Sequence, residues 1–295
     1  NDQCFDCRCP GPTTGRDGIV TVFEMVANAA HSLRAAGIDS AARDARALVA
    51  HALGVAANRI VLLGSDPIDL KAQERLAGYL ERRLRHEPVS KITGWRQFWG
   101  RDFHISKAVL DPRPETETVI VEALKHPAAT VLDLGTGSGI LAVTLMAEWP
   151  KAQALATDIS PAALAVAGKN AARYDIGDRL SFAQSNWFEG VQGEFDLIVA
   201  NPPYIAMEEM AGLDRDVRDF DPHIALTPGG DGLDPYRVIA AAVGRHLSPD
   251  GRLIVEIGHQ QAADVLQIFQ DAGLSSLCCH PDLAGRDRVI SACIH

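Results

Sequence analysis

The chain has 295 residues, 47% hydrophobic and 22% charged, with a formal net charge of −10, enough for one large or two modest soluble domains. No apolar run approaches the roughly 20 residues that span a bilayer, and no charged stretch followed by an apolar one opens the chain as a signal peptide would, so a cytoplasmic protein without a membrane partner is expected. The acidic excess lies in residues 91–295, with 17 basic against 27 acidic side chains, while residues 19–90 are near neutral at 9 against 8. Duplex-binding proteins usually show a basic face, so nucleic acid is not expected as a required partner.

Residues 1–18 are rich in Gly, Pro, Asp and Thr and carry no apolar period, which predicts a disordered leader or an appended tail. Cys4, Cys7 and Cys9 crowd this stretch, but three ligands without a nearby fourth make a poor structural zinc site, and no metal is expected. Residues 19–90 read as a small helical domain. Val22, Met25, Val26, Ala29 and Leu33 recur at helical spacing. Asp39 and Ser40 are cap candidates for a second helix that stops at Gly54. Leu76, Leu80 and Leu84 form a stripe in a third, and Arg75, Arg82, Arg83 and Arg85 fall largely off it. A solvated face is the expectation for those arginines; a docking surface for a charged macromolecule is the alternative. Pro88 is expected to end the helical region. Residues 91–110 then alternate apolar and polar around glycines, with Trp95, Phe98, Trp99 and Phe103, as in a β-hairpin linker packed on the next domain.

From about residue 111 strands and helices alternate: TVLDLG, GILAVTLMAEWP, AQALATD, SPAALAVAGKNAARY, RLSFAQS, FDLIVAN and GRLIVEIG. The pattern predicts an α/β fold with an open sheet covered by helices on both faces. Two closely spaced strands, SSLCCH and DRVISACIH, end the chain, and Cys278, Cys279 and Cys293 within them are expected to be core residues. In VLDLGTGSGI a buried strand leads into Gly135, Thr136, Gly137, Ser138 and Gly139 and then a helix. Glycines permit a tight turn and close approach of a ligand. Asp158 ends the next strand, 23 residues past Gly135, where an acid can bond both hydroxyls of a ribose. The spacing G-x-G-x-G is shorter than the dinucleotide fingerprint and resembles the loop of S-adenosylmethionine-dependent methyltransferases.

The sixth segment, FDLIVAN, ends on Asn201 and is followed by Pro202, Pro203 and Tyr204. An Asn-Pro-Pro-Tyr quartet in this place resembles methyltransferases that act on a planar nitrogen, either a base amine or a glutamine amide. Such a nitrogen is a weak nucleophile because its lone pair is delocalised. Asn201 can accept one of its hydrogens, the Pro202 carbonyl the other, and Tyr204 can pack on the planar group. Catalysis would then rest on positioning and electrostatics.

Further motifs narrow the resemblance: DPRPETE (111–117), SNWF (185–188), IALTPGGDGLDPYRVI (224–239), LIVEIGHQQ (253–261) and GRDRVI (285–290). With the helical domain in front, the chain resembles the HemK/PrmC family over about residues 20–295. The resemblance implies a class I, Rossmann-like methyltransferase sheet over 111–295, with 19–90 recognising the substrate and 91–110 as a hairpin linker. It implies methylation of the N5 amide of the Gly-Gly-Gln glutamine in peptide chain release factors, by a monomer that uses S-adenosyl-L-methionine. Gly135 to Gly139 and Asp158 would bind the cofactor, with Trp187 near its adenine. Asn201 would touch cofactor and substrate, Asn201 to Tyr204 would hold the amide, and Thr116 and Glu117 would shape the methionine end. FDPHIAL (220–226) departs from the family's usual Tyr-Glu-Pro-like stretch, a change expected at the substrate rim. A ribosomal-protein glutamine, DNA adenine N6, and a non-catalytic adaptor role remain as alternatives.

Overall fold

The computed structural model describes residues 20–294, so the expected leader at 1–18, with Cys4, Cys7 and Cys9, lies outside the described residues. The chain divides into two compact units, Asn1–Thr93 and Gly94–His295.

The first unit contains helices α1 (Val22–Ala35), α2 (Ala41–Leu53), α3 (Leu70–Leu84) and α4 (Val89–Thr93), with a 3-10 segment at Ala57–Leu63. Thr21 and Glu24 close a reciprocal capping box on α1, a device worth about 1 kcal/mol. Ser40 precedes α2, but its hydroxyl makes no cap bond; it donates to the Asp44 carboxylate at 2.6 Å. Gly54 ends α2 in the left-handed region at φ 69°. The unit is held by Leu33, Leu48, Val49 and Leu76, all buried.

Two expectations fail here. Arg82 and Arg83 do not lie on a solvated face. Arg83 is buried and its Nε meets Asp44 Oδ2 at 2.9 Å. Arg82 grips both oxygens of Glu87 at 2.8 and 2.6 Å and reaches the carbonyls of Lys91 and Ile92. Arg75 donates twice to the Ala52 carbonyl. Arg75, Arg82 and Arg83 thus tie segments of the unit together, although Arg75 stays exposed, and exposed Arg85 pairs with Glu81 at 3.5 Å. Pro88 does not end the helical region either. Its carbonyl accepts from Lys91 and Ile92 N–H, because a proline's fixed φ suits the start of a helix. Residues 91–93 therefore belong to α4, and the hairpin begins later than the 91–110 reading placed it.

The second unit opens with β1 (Trp95–Phe98) and β2 (Arg101–His104), an antiparallel pair. Trp99 and Gly100 join them, both at positive φ, as a two-residue primed turn requires. Phe98 and Phe103 are buried and meet edge to face. Trp95 stays 40% exposed under the Arg173 guanidinium.

After α5 (Glu117–Leu124) the strands and helices alternate: β3 (Thr130–Leu134), α6 (Ile140–Glu148), β4 (Gln153–Asp158), α7 (Pro161–Arg173), β5 (Leu180–Gln184) and β6 (Phe195–Ala200). Two four-residue turns, α8 (Arg215–Arg218) and α9 (His223–Leu226), precede α10 (Asp234–Val243), β7 (Leu247–Glu256), α11 (Ala262–Asp271), β8 (Ser275–Pro281) and β9 (Asp287–Cys293). Among the described residues, seven strands form one sheet in the order β5-β4-β3-β6-β7-β9-β8, parallel except that β9 runs against both its neighbours. One core packs α5, α6 and α7 on one face, through Ile120, Leu145 and Val166; the other packs α10 and α11 through Tyr236, Ile239 and Phe269. This is why the strands read as continuous apolar runs. Ser160 caps α7, accepting from Ala163 N–H, with Pro161 at the first helical position. Cys278 on β8 is exposed, and Cys279 and Cys293 are half-buried, so they are not the core residues expected. Cys278 and Cys279 lie on β8, the edge strand of the sheet, where only one side is paired, and Cys293 lies near the end of β9.

Candidate functional site

The strand order reverses at β3, whose neighbours are β4 and β6. Their C-terminal ends bear the glycine loop, Asp158 and Asn201. Ligands bind at such a reversal in open parallel sheets, and a cavity of about 420 Å³ opens there.

Gly135, Gly137 and Gly139 all adopt positive φ, at 69°, 56° and 82°. At Gly139 a Cβ would come within 3.0 Å of the Ala167 Cβ, so the loop lies hard against α7. Asn170 on α7 fastens it, donating to the Ser138 carbonyl at 2.8 Å. Asp158 accepts from Gly137 N–H and Ser160 N–H, both at 2.9 Å. Each of its oxygens keeps a lone pair for a ligand. Burial holds its pKa above the usual carboxylate value.

Of the expected residues, Gly135, Thr136, Gly137, Ser138, Asp158, Trp187, Asn201 and Pro203 line the cavity. Gly139 lies behind the loop as the residue before α6. Trp187, at φ 53°, is fixed by the Ser185 hydroxyl, which donates to its carbonyl at 2.8 Å.

The Asn-Pro-Pro-Tyr quartet divides. Asn201 donates through Nδ2 to Thr116 Oγ1 at 3.2 Å, so its Oδ1 is turned away from Thr116. No hydrogen bond among the described residues reaches the Pro202 carbonyl. Tyr204 does not line the cavity as its expected packing on the target requires. Its hydroxyl points to Glu256 Oε1 at 3.4 Å, and its ring lies where a Cβ added at Gly258 would meet it at 3.4 Å; burial pushes its pKa up. The cause is β7, which carries Glu256 next to β6. The Tyr204 carbonyl accepts from Gln261 Nε2 at 2.8 Å. Behind it stands Gly232, where a Cβ would collide with that same carbonyl oxygen. Glu117 also leaves the cavity: it accepts from Trp99 N–H at 2.8 Å. Thr116 is buried against Asn201. FDPHIAL forms part of the wall through Pro222, Ile224 and Ala225. Asp221 anchors it, accepting from Asp111 N–H at 3.0 Å and pairing with Arg113.

Sequence reasoning missed two acids. Asp133 lines the cavity. Its Oδ2 accepts from Thr136 Oγ1 at 2.6 Å and from Ala142 N–H at 3.2 Å, while its buried Oδ1 has no hydrogen-bond partner. Burial pushes its pKa up to about 7. Glu256 is likewise fully buried, and burial raises it to about 7. A lone acid inside an apolar strand, in VLDLG and in LIVEIG, was the available signal.

Residues 24–94 match the PrmC N-terminal domain and residues 106–214 the methyltransferase small domain. A release factor glutamine methyltransferase of Cereibacter sphaeroides is 53% identical over 260 residues, covering 88% of this chain and 94% of that one. The chain belongs to the release factor glutamine methyltransferase family. The Agrobacterium fabrum member is 42% identical, over 93% of this chain and 98% of its own. A solved methyltransferase from Pyrococcus furiosus (TM-score 0.51, 16% identity) covers 73% of this chain and 98% of its own. The hMettl16 catalytic domain, solved in complex with MAT2A 3'UTR hairpin 6 (TM-score 0.55, 15% identity), covers 73% and 82%. At these identities the two structures show the fold alone.

S-adenosylmethionine is the cofactor of this methyltransferase, and the residues present fit it. The orphaned Asp133 oxygen suits an ammonium group, and Asp158 with its spare lone pairs suits ribose hydroxyls. Among the described residues no group of three metal-ligating side chains occurs. No single described helix is long and apolar enough to cross a membrane.

Proposed function

We propose that the protein methylates the side-chain amide nitrogen of the Gly-Gly-Gln glutamine in peptide chain release factors. It acts in the cytoplasm as a monomer, needs no nucleic acid, and uses the helical unit 19–93 to hold the factor. The observation that carries the reading is Asn201 at the cavity wall with its Oδ1 free of internal donors, followed in the chain by a Pro202 carbonyl that also receives no internal hydrogen bond.

S-adenosylmethionine supplies the methyl group when bound. Asn201 accepts one amide N–H and Pro202 the other, which holds the planar nitrogen and favours its change toward tetrahedral geometry. The prolines keep the second carbonyl fixed. No general base is required before attack, because the methylated, cationic nitrogen is strongly acidic and releases its proton readily. Electrostatic positioning of this kind is worth about 10²- to 10³-fold per group.

The test is transfer of labelled methyl from S-adenosylmethionine to a release factor, with ribosomal protein and duplex DNA alongside. Labelling is expected on the release factor and lost when its Gly-Gly-Gln glutamine becomes alanine; undiminished labelling of that variant overturns the reading. Asn201→Ala is expected to lower kcat by about 10²- to 10³-fold while cofactor binding stays measurable.

A further inference from the structure

Asn170 lies in α7 and is fully buried. Both sides of its amide are engaged. Oδ1 accepts from His104 N–H at 2.7 Å. The two protons on Nδ2 go to carbonyls, that of His104 at 3.1 Å and that of Ser138 at 2.8 Å. All of these partners are backbone groups, whose donor and acceptor roles are fixed. The amide therefore faces one way only. A half-turn would set Oδ1 against two carbonyl oxygens and Nδ2 against an N–H.

One end of this link is stiff. His104 closes β2, whose Phe103 is buried and stacks with Phe98 and Tyr174. The next residue, Ile105, donates to the Gly94 carbonyl at 2.8 Å across the base of the hairpin. The other end is pliable. Ser138 lies between Gly137 and Gly139, both at positive φ, and glycine resists backbone rotation least of all residues. The peptide joining Ser138 to Gly139 is held at its two polar ends. Gly139 N–H donates to the Thr136 carbonyl at 2.8 Å, and the Ser138 carbonyl receives Asn170. Of these two bonds only the second leaves the loop. A loop that swings lowers its apparent affinity by the fraction of time it lies outside the binding shape.

We propose that Asn170 is a positioning residue for the cofactor: it locks the Ser138–Gly139 peptide to the base of the β1–β2 hairpin and so sets the affinity of the glycine loop for S-adenosylmethionine. Asn170 itself does not line the cavity, whereas Gly135 to Ser138 do. The bonds that hold the peptide are internal to the protein, so the loop needs no ligand to keep its shape. The inference goes beyond the proposed function and holds whichever amide is methylated. It also gives the hairpin a task beyond linking, as the fixed point against which the loop is set.

The test compares Asn170→Asp and Asn170→Leu with wild type. Asn170→Asp keeps the shape and the acceptor for His104 N–H but turns a carboxylate oxygen toward the two carbonyls. Asn170→Leu keeps similar bulk and removes all three bonds. Affinity for S-adenosylhomocysteine is measured by titration calorimetry, with the melting temperature giving the folded fraction. Both variants are expected to bind about 10-fold or more weakly. With a release factor as acceptor, KM for S-adenosylmethionine should rise in step, while kcat at saturating cofactor stays within about 3-fold of wild type. Wild-type affinity in folded Asn170→Asp overturns the proposal, and so does a loss confined to Asn170→Leu, which marks a packing role. A fall in kcat with affinity unchanged overturns it too. If neither variant folds, wild type decides by NMR. In protein without cofactor, the Asn170 side-chain amide protons are expected to exchange with solvent at least about 100-fold more slowly than those of free asparagine; fast exchange overturns the lock. The affinity and exchange measurements need no methyl acceptor, so their outcome is separate from that of the release-factor assay.

Discussion

Three buried acids, Asp44 in the helical unit and Asp133 and Glu256 in the sheet unit, are treated in opposite ways. Asp44 in the helical unit receives Arg83 Nε at 2.9 Å and the Ser40 hydroxyl at 2.6 Å, with Arg43 at 3.6 Å on its outer oxygen. Asp133 in the sheet unit keeps one oxygen without a partner, and so does Glu256. Burial raises both sheet acids to about 7. A charge kept for architecture is matched inside the fold. An acid placed at a ligand cavity, as Asp133 is, is left short of donors, and stability suffers for it once it ionises.

The strongest way to break this contrast is to remove Asp44. Asp44→Ala takes from buried Arg83 its carboxylate partner, which costs about 3–5 kcal/mol. Calorimetry should show a melting temperature lower by roughly 10 °C or more, while the folded fraction still binds S-adenosylhomocysteine normally. A melting temperature near wild type would place the pair among decorative ones.

Asp133→Asn should show the reverse. Cofactor affinity, followed by titration calorimetry, is expected to fall by about 10-fold or more as a charged contact is lost. Stability is expected to rise, in a pH-dependent way. The folded pKa of Asp133 lies above its unfolded value of 3.8, and that of Glu256 above 4.5. Their stabilising contribution is therefore complete below about pH 4 and is lost as pH climbs through about 7. The groups facing them are Asp158 for the first and Arg288, Tyr204 and Glu115 for the second. Urea unfolding of wild type should weaken from pH 5 to pH 8, and Asp133→Asn should weaken less. Equal pH slopes would mean that the aspartate is not held protonated by the fold.

The smallest effect sharpens the same point from outside. Glu81 and Arg85 pair at 3.5 Å on an exposed helix face, 71% and 66% accessible. Glu81→Ala should change unfolding free energy by no more than about 0.5 kcal/mol. A larger change would show that exposure is a poor guide to what a charge does in this unit.

The sheet and its loop were legible because each depends on local pattern. A buried parallel strand is an unbroken apolar run, and a tight turn at its end needs residues such as Gly135 and Gly137. What depends on distant packing was not legible. Helical spacing placed Arg83 off the leucine stripe, yet α2 presents Asp44 to that side of α3. Tyr204 was assigned to the substrate because four consecutive residues read as one site. Its ring is instead directed by Glu256 and Gly258, more than fifty positions later. The motifs LIVEIGHQQ and TPGGDGLDP carried family resemblance but no role until the fold set Glu256, Gln261 and Gly232 behind the quartet.

That last arrangement bears on transplanting the chemistry. Grafting Asn-Pro-Pro-Tyr onto the strand end of another sheet would copy the letters and lose the grip. The Tyr204 carbonyl needs the Gln261 amide, and Gln261 is steadied in turn by Gly258 N–H at 3.0 Å. The space beside that carbonyl exists only because residue 232 has no side chain. The smallest portable unit is therefore the quartet with Thr116, Glu256, Gln261 and Gly232, eight contributions of side chain or empty space drawn from across about 145 residues of chain.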